Sequence, residues 1–301
     1  MSDPAPWQGI WGFPLTPFTR RGIDLDVLAA GTRHQLAGGV DVLCACGAIA
    51  QLGELRPPEH TAAVRAIVEE SAGRRPVLAT VLGGRDARRL AAAALAAGAA
   101  GMVYVPHCAQ VAAAERGLRS LARLAPGVPL ALYHRPPLRL RPAELERLAA
   151  LPELAWVKDG HRDVRLFRRL AGVEGLRWVS AWEDVALPFW ALGCSTFAPA
   201  STAYAPEYSA AWLGRLRAGD LAGARRLLEL HAYPMIDLRL ARTGIDIAVV
   251  KAAMEACDVP AGGVRSPARA LSGSERARVR ALVAQLRAEL RPRSGREARA
   301  A

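Results

Sequence analysis

The sequence predicts a (β/α)8 barrel followed by a C-terminal helical extension. Three observations carry this. Short apolar runs alternate with amphipathic helical stretches eight times over about 200 residues, the scale of a barrel. The runs are continuous rather than alternating, as in parallel strands covered on both faces by helices. No linker is wide enough to separate domains. A doubly wound open sheet is the second architecture the alternation allows, but no Gly-x-Gly-x-x-Gly follows the first strand.

In order, strands are expected over residues 7–14, 40–46, 77–80, 101–105, 128–133, 154–158, 177–180 and 194–198. The helices between them are expected over 24–36 with Asp24 as cap, from Pro57 and Pro58 with Glu59 in the first turn, and over 85–97 stopped by Gly98. Those over 111–124, 142–150, 164–170 and 185–192 follow. Three further helical stretches, 206–216, 221–238 and 274–290, are expected to pack against the barrel, with 260–267 as the loop between the last two. The expected organisation is a barrel over 1–204, a helical extension over 205–290 and a disordered basic tail over 291–301.

Composition narrows the function classes. In 301 residues, 51% are apolar, and no run approaches the ~18 apolar residues of a membrane span. Residues 1–6 lack the charged and apolar regions of a signal peptide, so the expected compartment is the cytosol. The five cysteines, Cys44, Cys46, Cys108, Cys194 and Cys257, read as reduced thiols. Cys44-Ala45-Cys46 has the wrong spacing for common zinc motifs and no matching pair follows it, so no metal is expected. The net charge of +12 invites a nucleic-acid partner, but the arginines are spread along amphipathic helices. They concentrate only in the tail, where no aromatic residue interleaves with them. No nucleic acid is expected.

The chemistry is read from the ends of the strands, where barrel active sites lie. Those positions are Thr16, the turn 47–51, Thr80, Pro106, Tyr133, Lys158 and Ala198. Lys and Arg total 40, yet only Lys158 and Lys251 are lysines. Arginine cannot replace lysine where a neutral amine must attack a carbonyl. An unperturbed lysine is only about 0.04% neutral at pH 7, so an apolar barrel mouth that lowers its pKa would serve that role. Lys158 and Tyr133 end adjacent strands, the sixth and the fifth, which places an amine and a phenol over one mouth. A Schiff-base mechanism uses such a pair, the amine attacking a ketone and the phenol moving protons.

These residues resemble the dihydrodipicolinate synthase/N-acetylneuraminate lyase superfamily, and within it the 5-dehydro-4-deoxyglucarate dehydratase branch. Phe13-Pro14-Leu15-Thr16-Pro17-Phe18 with Gly22-Ile23-Asp24 is similar to the family's opening. Leu132-Tyr133-His134-Arg135, Val157-Lys158-Asp159-Gly160 with Asp163, and Val264-Arg265-Ser266-Pro267 are similar to its tyrosine, lysine and closing motifs. The resemblance implies a barrel, frequent tetramers, and an imine between Lys158 and a 2-keto acid, with no cofactor or metal. It places the substrate carboxylate on the backbone of Gly47, Ala48 and Ile49, with Arg135 or Arg162 as further anchors.

The chain also departs from the family's pattern. The turn after the second strand reads Gly47-Ala48-Ile49-Ala50-Gln51, so the relay hydroxyl falls at Ile49. The second relay tyrosine falls at Cys108, and two polar positions near the eighth strand fall at Ala198 and Ala203. Each hydroxyl of a sugar diacid left unpaired there would cost about 1–3 kcal/mol, so a less polar substrate is expected. His107, His134 and His161 are expected near the mouth, with His134 or His107 as replacement proton carriers. The alternative is a repurposed barrel that binds a keto acid or a partner without turning it over. A homo-oligomer, dimer or tetramer, is expected.

Overall fold

Eight parallel strands pair in chain order and then close on themselves. They are β1 (Trp11–Gly12), β2 (Val42–Ala45), β3 (Val77–Leu82), β4 (Gly101–Val105), β5 (Leu130–His134), β6 (Leu154–Asp159), β7 (Arg177–Ser180) and β8 (Thr196–Phe197). The computed structural model describes residues 7–290. Closure is made by a parallel bridge between Ile10 and Phe197, with Phe197 N donating to Gly9 O at 2.9 Å. The barrel is the predicted one.

Six of the strands fall on the expected runs because nearly every residue in them is buried, as a sheet enclosed by helices requires. β1 and β8 are much shorter than their apolar runs. After Gly12 the chain turns over the barrel mouth, carrying Phe13 and Thr16 inward. Before Ile10 it brings Trp7 against Trp11, whose Nε1 donates to Trp7 O at 2.7 Å. Those apolar residues are buried as plugs rather than as strand.

Seven helices cover the barrel: α1 (Leu25–Ala37), α2 (Pro57–Ser71), α3 (Ala87–Ala96), α4 (Val111–Leu124), α5 (Pro142–Ala149), α6 (Val164–Leu170) and α7 (Ala186–Ala191). Asp24 caps α1 by accepting from Val27 N at 3.1 Å, and Asp163 caps α6 through Leu166 N at 3.0 Å. A small antiparallel ribbon, Phe18–Thr19 with Gly22–Ile23, follows β1 and was not anticipated.

Beyond β8 lie α8 (Pro206–Arg217), α9 (Leu221–Leu227), α10 (Tyr233–Leu240), α11 (Asp246–Ala256) and α12 (Gly273–Leu290). Two expectations are corrected here. The single helix expected over 221–238 is interrupted by a π turn at Leu228–Ala232. Pro234, which has no N–H to give the preceding turn, follows directly. α11 was missed altogether, so the loop at 260–267 lies between α11 and α12. Seven of its eleven residues are buried, so it shows no polar stripe by which a surface helix is read. Lys251 on α11 donates to Thr16 O and to Gly263 O, tying the extension to the barrel mouth.

All five cysteines are free thiols, and Cys44, Cys46 and Cys194 are buried. Among the described residues no helix is long and apolar enough to cross a membrane. The start at 1–6 and the basic tail at 291–301 lie outside the described residues.

Candidate active site

Tyr133 and Lys158 are direct partners across β5 and β6. Partnered residues on parallel strands share a face, and here that face lines a cavity of about 360 Å³. Phe13, Ala48, Ile49 and Arg135 belong to the same wall. The Lys158 side chain is 6% exposed, with Nζ 3.9 Å from the Phe13 ring centroid and 4.4 Å from that of Tyr133. No carboxylate pairs with it among the described residues. Burial lowers its pKa to about 8, and the nearby positive Arg135 acts in the same direction. At that value about a tenth of the amine is neutral at pH 7, against about 0.04% for an unperturbed lysine.

Tyr133 is buried, and burial raises its pKa. Its hydroxyl has no hydrogen-bond partner among the described residues. Gly160 makes the room it occupies: a Cβ there would sit 2.7 Å from Tyr133 Cε2 and 2.9 Å from Arg135 Cβ. Ile49 lines the cavity with an apolar side chain, and Cys108 does not line it.

The turn after β2 forms a short 3-10 helix, Ala48–Ala50. The N–H groups of Ala48 and Ile49 have no acceptor among the described residues, as expected at a helix start. Gly47 is not in the cavity wall. Its α-carbon presses on Phe13, where a Cβ would come within 2.2 Å of the ring. The turn is braced from the C-terminal extension. Gln51 Nε2 donates to Arg265 O at 2.8 Å, and Gln51 Oε1 accepts from Arg265 N at 3.1 Å. The Arg265 guanidinium donates to both oxygens of the Glu59 carboxylate, at 2.7 and 2.6 Å, and holds its pKa well below the usual carboxylate range. The closing motif Val264-Arg265-Ser266-Pro267 thus acts on the turn.

Arg135 is half-buried, lies 5.6 Å over the Tyr133 ring, and has no hydrogen-bond or ionic partner among the described residues. It also borders a second cavity of about 370 Å³, which contains His107 and shares Ala48 and Pro136 with the first.

Three expectations for this region are corrected. Arg162 is not an anchor in the cavity, because its guanidinium pairs with Asp184 and lies 4.6 Å over Trp182. His134 and His161 do not face the mouth. They pack on each other with centroids 4.3 Å apart, because strand alternation turns His134 away from the face that carries Tyr133. His134 Nε2 accepts from Leu140 N at 3.1 Å, and burial pushes its pKa down to about 3, so it cannot exchange protons near neutrality. Asp159, on that same outer face, accepts from the N–H groups of His161 and Arg162, and burial pushes its pKa up to about 7.

The structure also brings in residues that sequence reasoning missed: Trp182 from the loop after β7, Arg239 from α10 and Asp246 from α11. Arg239 is one of many arginines in the sequence, and Asp246 opens the helix that was not foreseen. Neither carried a local signal. Among the described residues, no group of three His, Cys, Asp or Glu side chains could hold a metal ion.

Residues 6–286 match the dihydrodipicolinate synthetase family. The chain is 34% identical over 270 residues to a probable 5-dehydro-4-deoxyglucarate dehydratase of Streptomyces coelicolor, covering 85% of each. It is 35% identical over 253 residues to a 4-hydroxy-tetrahydrodipicolinate synthase of Sorangium cellulosum, covering 77% of this chain and 82% of that one. Among solved structures, YagE of Escherichia coli K12, a member of the dihydrodipicolinic acid synthase family in complex with pyruvate, superposes with a TM-score of 0.86. It is 26% identical, over 94% of this chain and 99% of that one.

Proposed function

The chain belongs to the dihydrodipicolinate synthetase family and is a lyase, and on that premise we propose that it works through an imine between Lys158 and a 2-keto acid. The observation that carries this reading is a buried, unpaired amine beside a buried phenol at the C-terminal mouth of the barrel. The neutral Nζ attacks the keto carbon, water leaves, and the protonated imine draws electrons from the neighbouring carbon. Tyr133 moves protons at that step. The free N–H groups of Ala48 and Ile49 hold the carboxylate, with Gly47 shaping the turn through Phe13, and Arg135 supplies a further positive anchor.

Carbon–oxygen cleavage is the favoured reaction, because several similar chains are named as probable dehydratases. The apolar lining at Ala48, Ile49 and Ala198 suits a substrate with fewer hydroxyls along its middle than a sugar diacid. The enzyme is proposed to act in the cytosol as a homo-oligomer, and no cofactor is assigned to it. Borohydride reduction with pyruvate and with longer 2-keto acids, followed by intact mass and peptide mapping, tests the imine. A reduced adduct on Lys158 is expected. Its absence with every keto acid would overturn the reading.

One observation favours a second reading, a barrel that captures a keto acid without turnover: the Tyr133 hydroxyl has no relay partner among the described residues. Trapping that Tyr133→Phe leaves untouched, with no product formed by the parent enzyme, would support it.

A further inference from the structure

We infer that Lys251 is a positioning residue for carboxylate capture, its buried ammonium fixing the turn 47–51. The inference rests on the role proposed above for that turn and extends it to a residue that does not line the cavity. Lys251 is one of only two lysines in a chain whose Lys and Arg total 40. The imine chemistry accounts for Lys158 and leaves the other unexplained. Lys251 is 3% exposed, and burial pushes its pKa down to about 8. A buried cation is unfavourable unless its donors are used. Its acceptors are two backbone carbonyls, Thr16 O at 2.5 Å and Gly263 O, 235 and 12 residues away in the chain. Neither carbonyl has another donor among the described residues.

Each of those carbonyls belongs to a segment that grips the turn. Thr16 Oγ1 donates to Ala50 O at 2.8 Å, and three residues earlier Phe13 packs on Gly47. Two residues after Gly263, both backbone groups of Arg265 bond the Gln51 side chain, at 2.8 and 3.1 Å. The turn is therefore held at Gly47, Ala50 and Gln51 by two segments far apart in the chain. Lys251 bonds both of them, and the backbone adds one link, Gly263 N donating to Phe18 O at 2.9 Å. The N–H groups of Ala48 and Ile49, which have no acceptor among the described residues, lie between the gripped positions. Their direction is set by where the two segments sit.

The geometry also accounts for a lysine where arginine is the rule. An ammonium offers three donors from one compact atom, so it can serve two carbonyls that approach from different segments. A guanidinium spreads its donors in a plane and is bulkier. Space here is limited by Phe18, whose ring centroid lies 5.4 Å from the Lys251 Nζ and which carries the Arg265 guanidinium carbon at 4.2 Å. The two lysines thus serve one mouth for different reasons, reactivity at Lys158 and the shape of the donor group at Lys251.

The test compares pyruvate with acetone, which has a methyl group where pyruvate has its carboxylate, in borohydride trapping on the full chain. Lys251→Met is expected to raise the half-saturating concentration of pyruvate about tenfold, as for a lost hydrogen-bonded support. That of acetone should stay within about twofold, and the limiting trapping rate with pyruvate within about threefold. Thr16→Val, which removes only the bond to Ala50 O, is expected to show the same selective loss at about threefold. A half-saturating concentration of pyruvate unchanged in both variants would overturn the inference. So would an equal loss for pyruvate and acetone, the mark of a merely structural role. Should Lys251→Met fail to fold by circular dichroism, Thr16→Val decides by the same comparison. A separate arm measures thermal stabilisation by pyruvate in Lys158→Met, where no imine can form. Stabilisation there that Lys251→Met removes supports the positioning role even if no adduct forms, and stabilisation that it leaves intact overturns that role. Absence of both the adduct and the stabilisation would overturn both readings.

Discussion

Lys158 carries a conflict between stability and reactivity. Its pKa is lowered by burial from 10.5 to about 8, so between those values the unfolded chain binds a proton that the folded chain does not. The resulting destabilisation is fully present below about pH 8 and vanishes above about pH 10.5, with a magnitude of about 3 kcal/mol. Lys158→Met is therefore expected to abolish the borohydride adduct and to raise the melting temperature by a few degrees at pH 7. That gain should shrink as the pH rises toward 10.5, which scanning calorimetry across pH would show. In the parent enzyme, the rate of adduct formation should climb with pH and level off above about 8. Tyr133→Phe is expected to keep the adduct while lowering turnover by about 10²–10⁴-fold, as for a lost proton carrier. At this scale lysine scarcity and strand-end position were enough to single out Lys158. The failure of the His134 expectation has an equally local cause: one step along a strand reverses the face.

At the scale of elements, the turn 47–51 is only as well placed as the segment that braces it. Gln51 adopts a positive φ of 59° and is held by both backbone groups of Arg265, whose guanidinium is bound to Glu59 on α2. Without Arg265, the buried Glu59 carboxylate keeps only Arg56 as a charged partner, and the Arg56 side chain is mostly exposed. Arg265→Leu is thus expected to lower stability by about 1–2 kcal/mol in urea unfolding, as for lost hydrogen bonds to a charged group, and to weaken keto-acid capture as the turn loosens. The Glu59 carboxyl has a pKa depressed mainly by Arg265, so its stabilisation is present above about pH 4.5 and declines as the pH falls below that. An acid-unfolding midpoint that does not move in Glu59→Gln would contradict this. The motif around Arg265 was legible, but its target was not, because a contact spanning 206 residues leaves no trace in local pattern.

The molecule as a whole is a barrel whose mouth is finished by the chain that follows it. α11 is buried on most sides, Lys251 reaches back to Thr16, and Arg239 and Asp246 complete the cavity wall. A chain ended at residue 204 would expose those surfaces and leave Glu59 without Arg265. It is expected to show no cooperative unfolding transition, whereas the full chain should melt in a single one. Calorimetry on both decides, and a cooperative transition in the short chain would mean that the barrel stands alone. What the sequence determined by itself was whatever depends on local periodicity and chemistry. That covers the eight alternations, elements such as Gly101–Val105 and Val111–Leu124 to the residue, and the neighbouring strand ends at Tyr133 and Lys158. Only the tertiary structure decided that Arg135 has no partner among the described residues while Arg162 does, which histidines face away, and which residues of the extension enter the cavity. Those depend on burial and on pairs far apart in the chain, and a buried helix or a paired guanidinium has the same local sequence whether or not its partner is there.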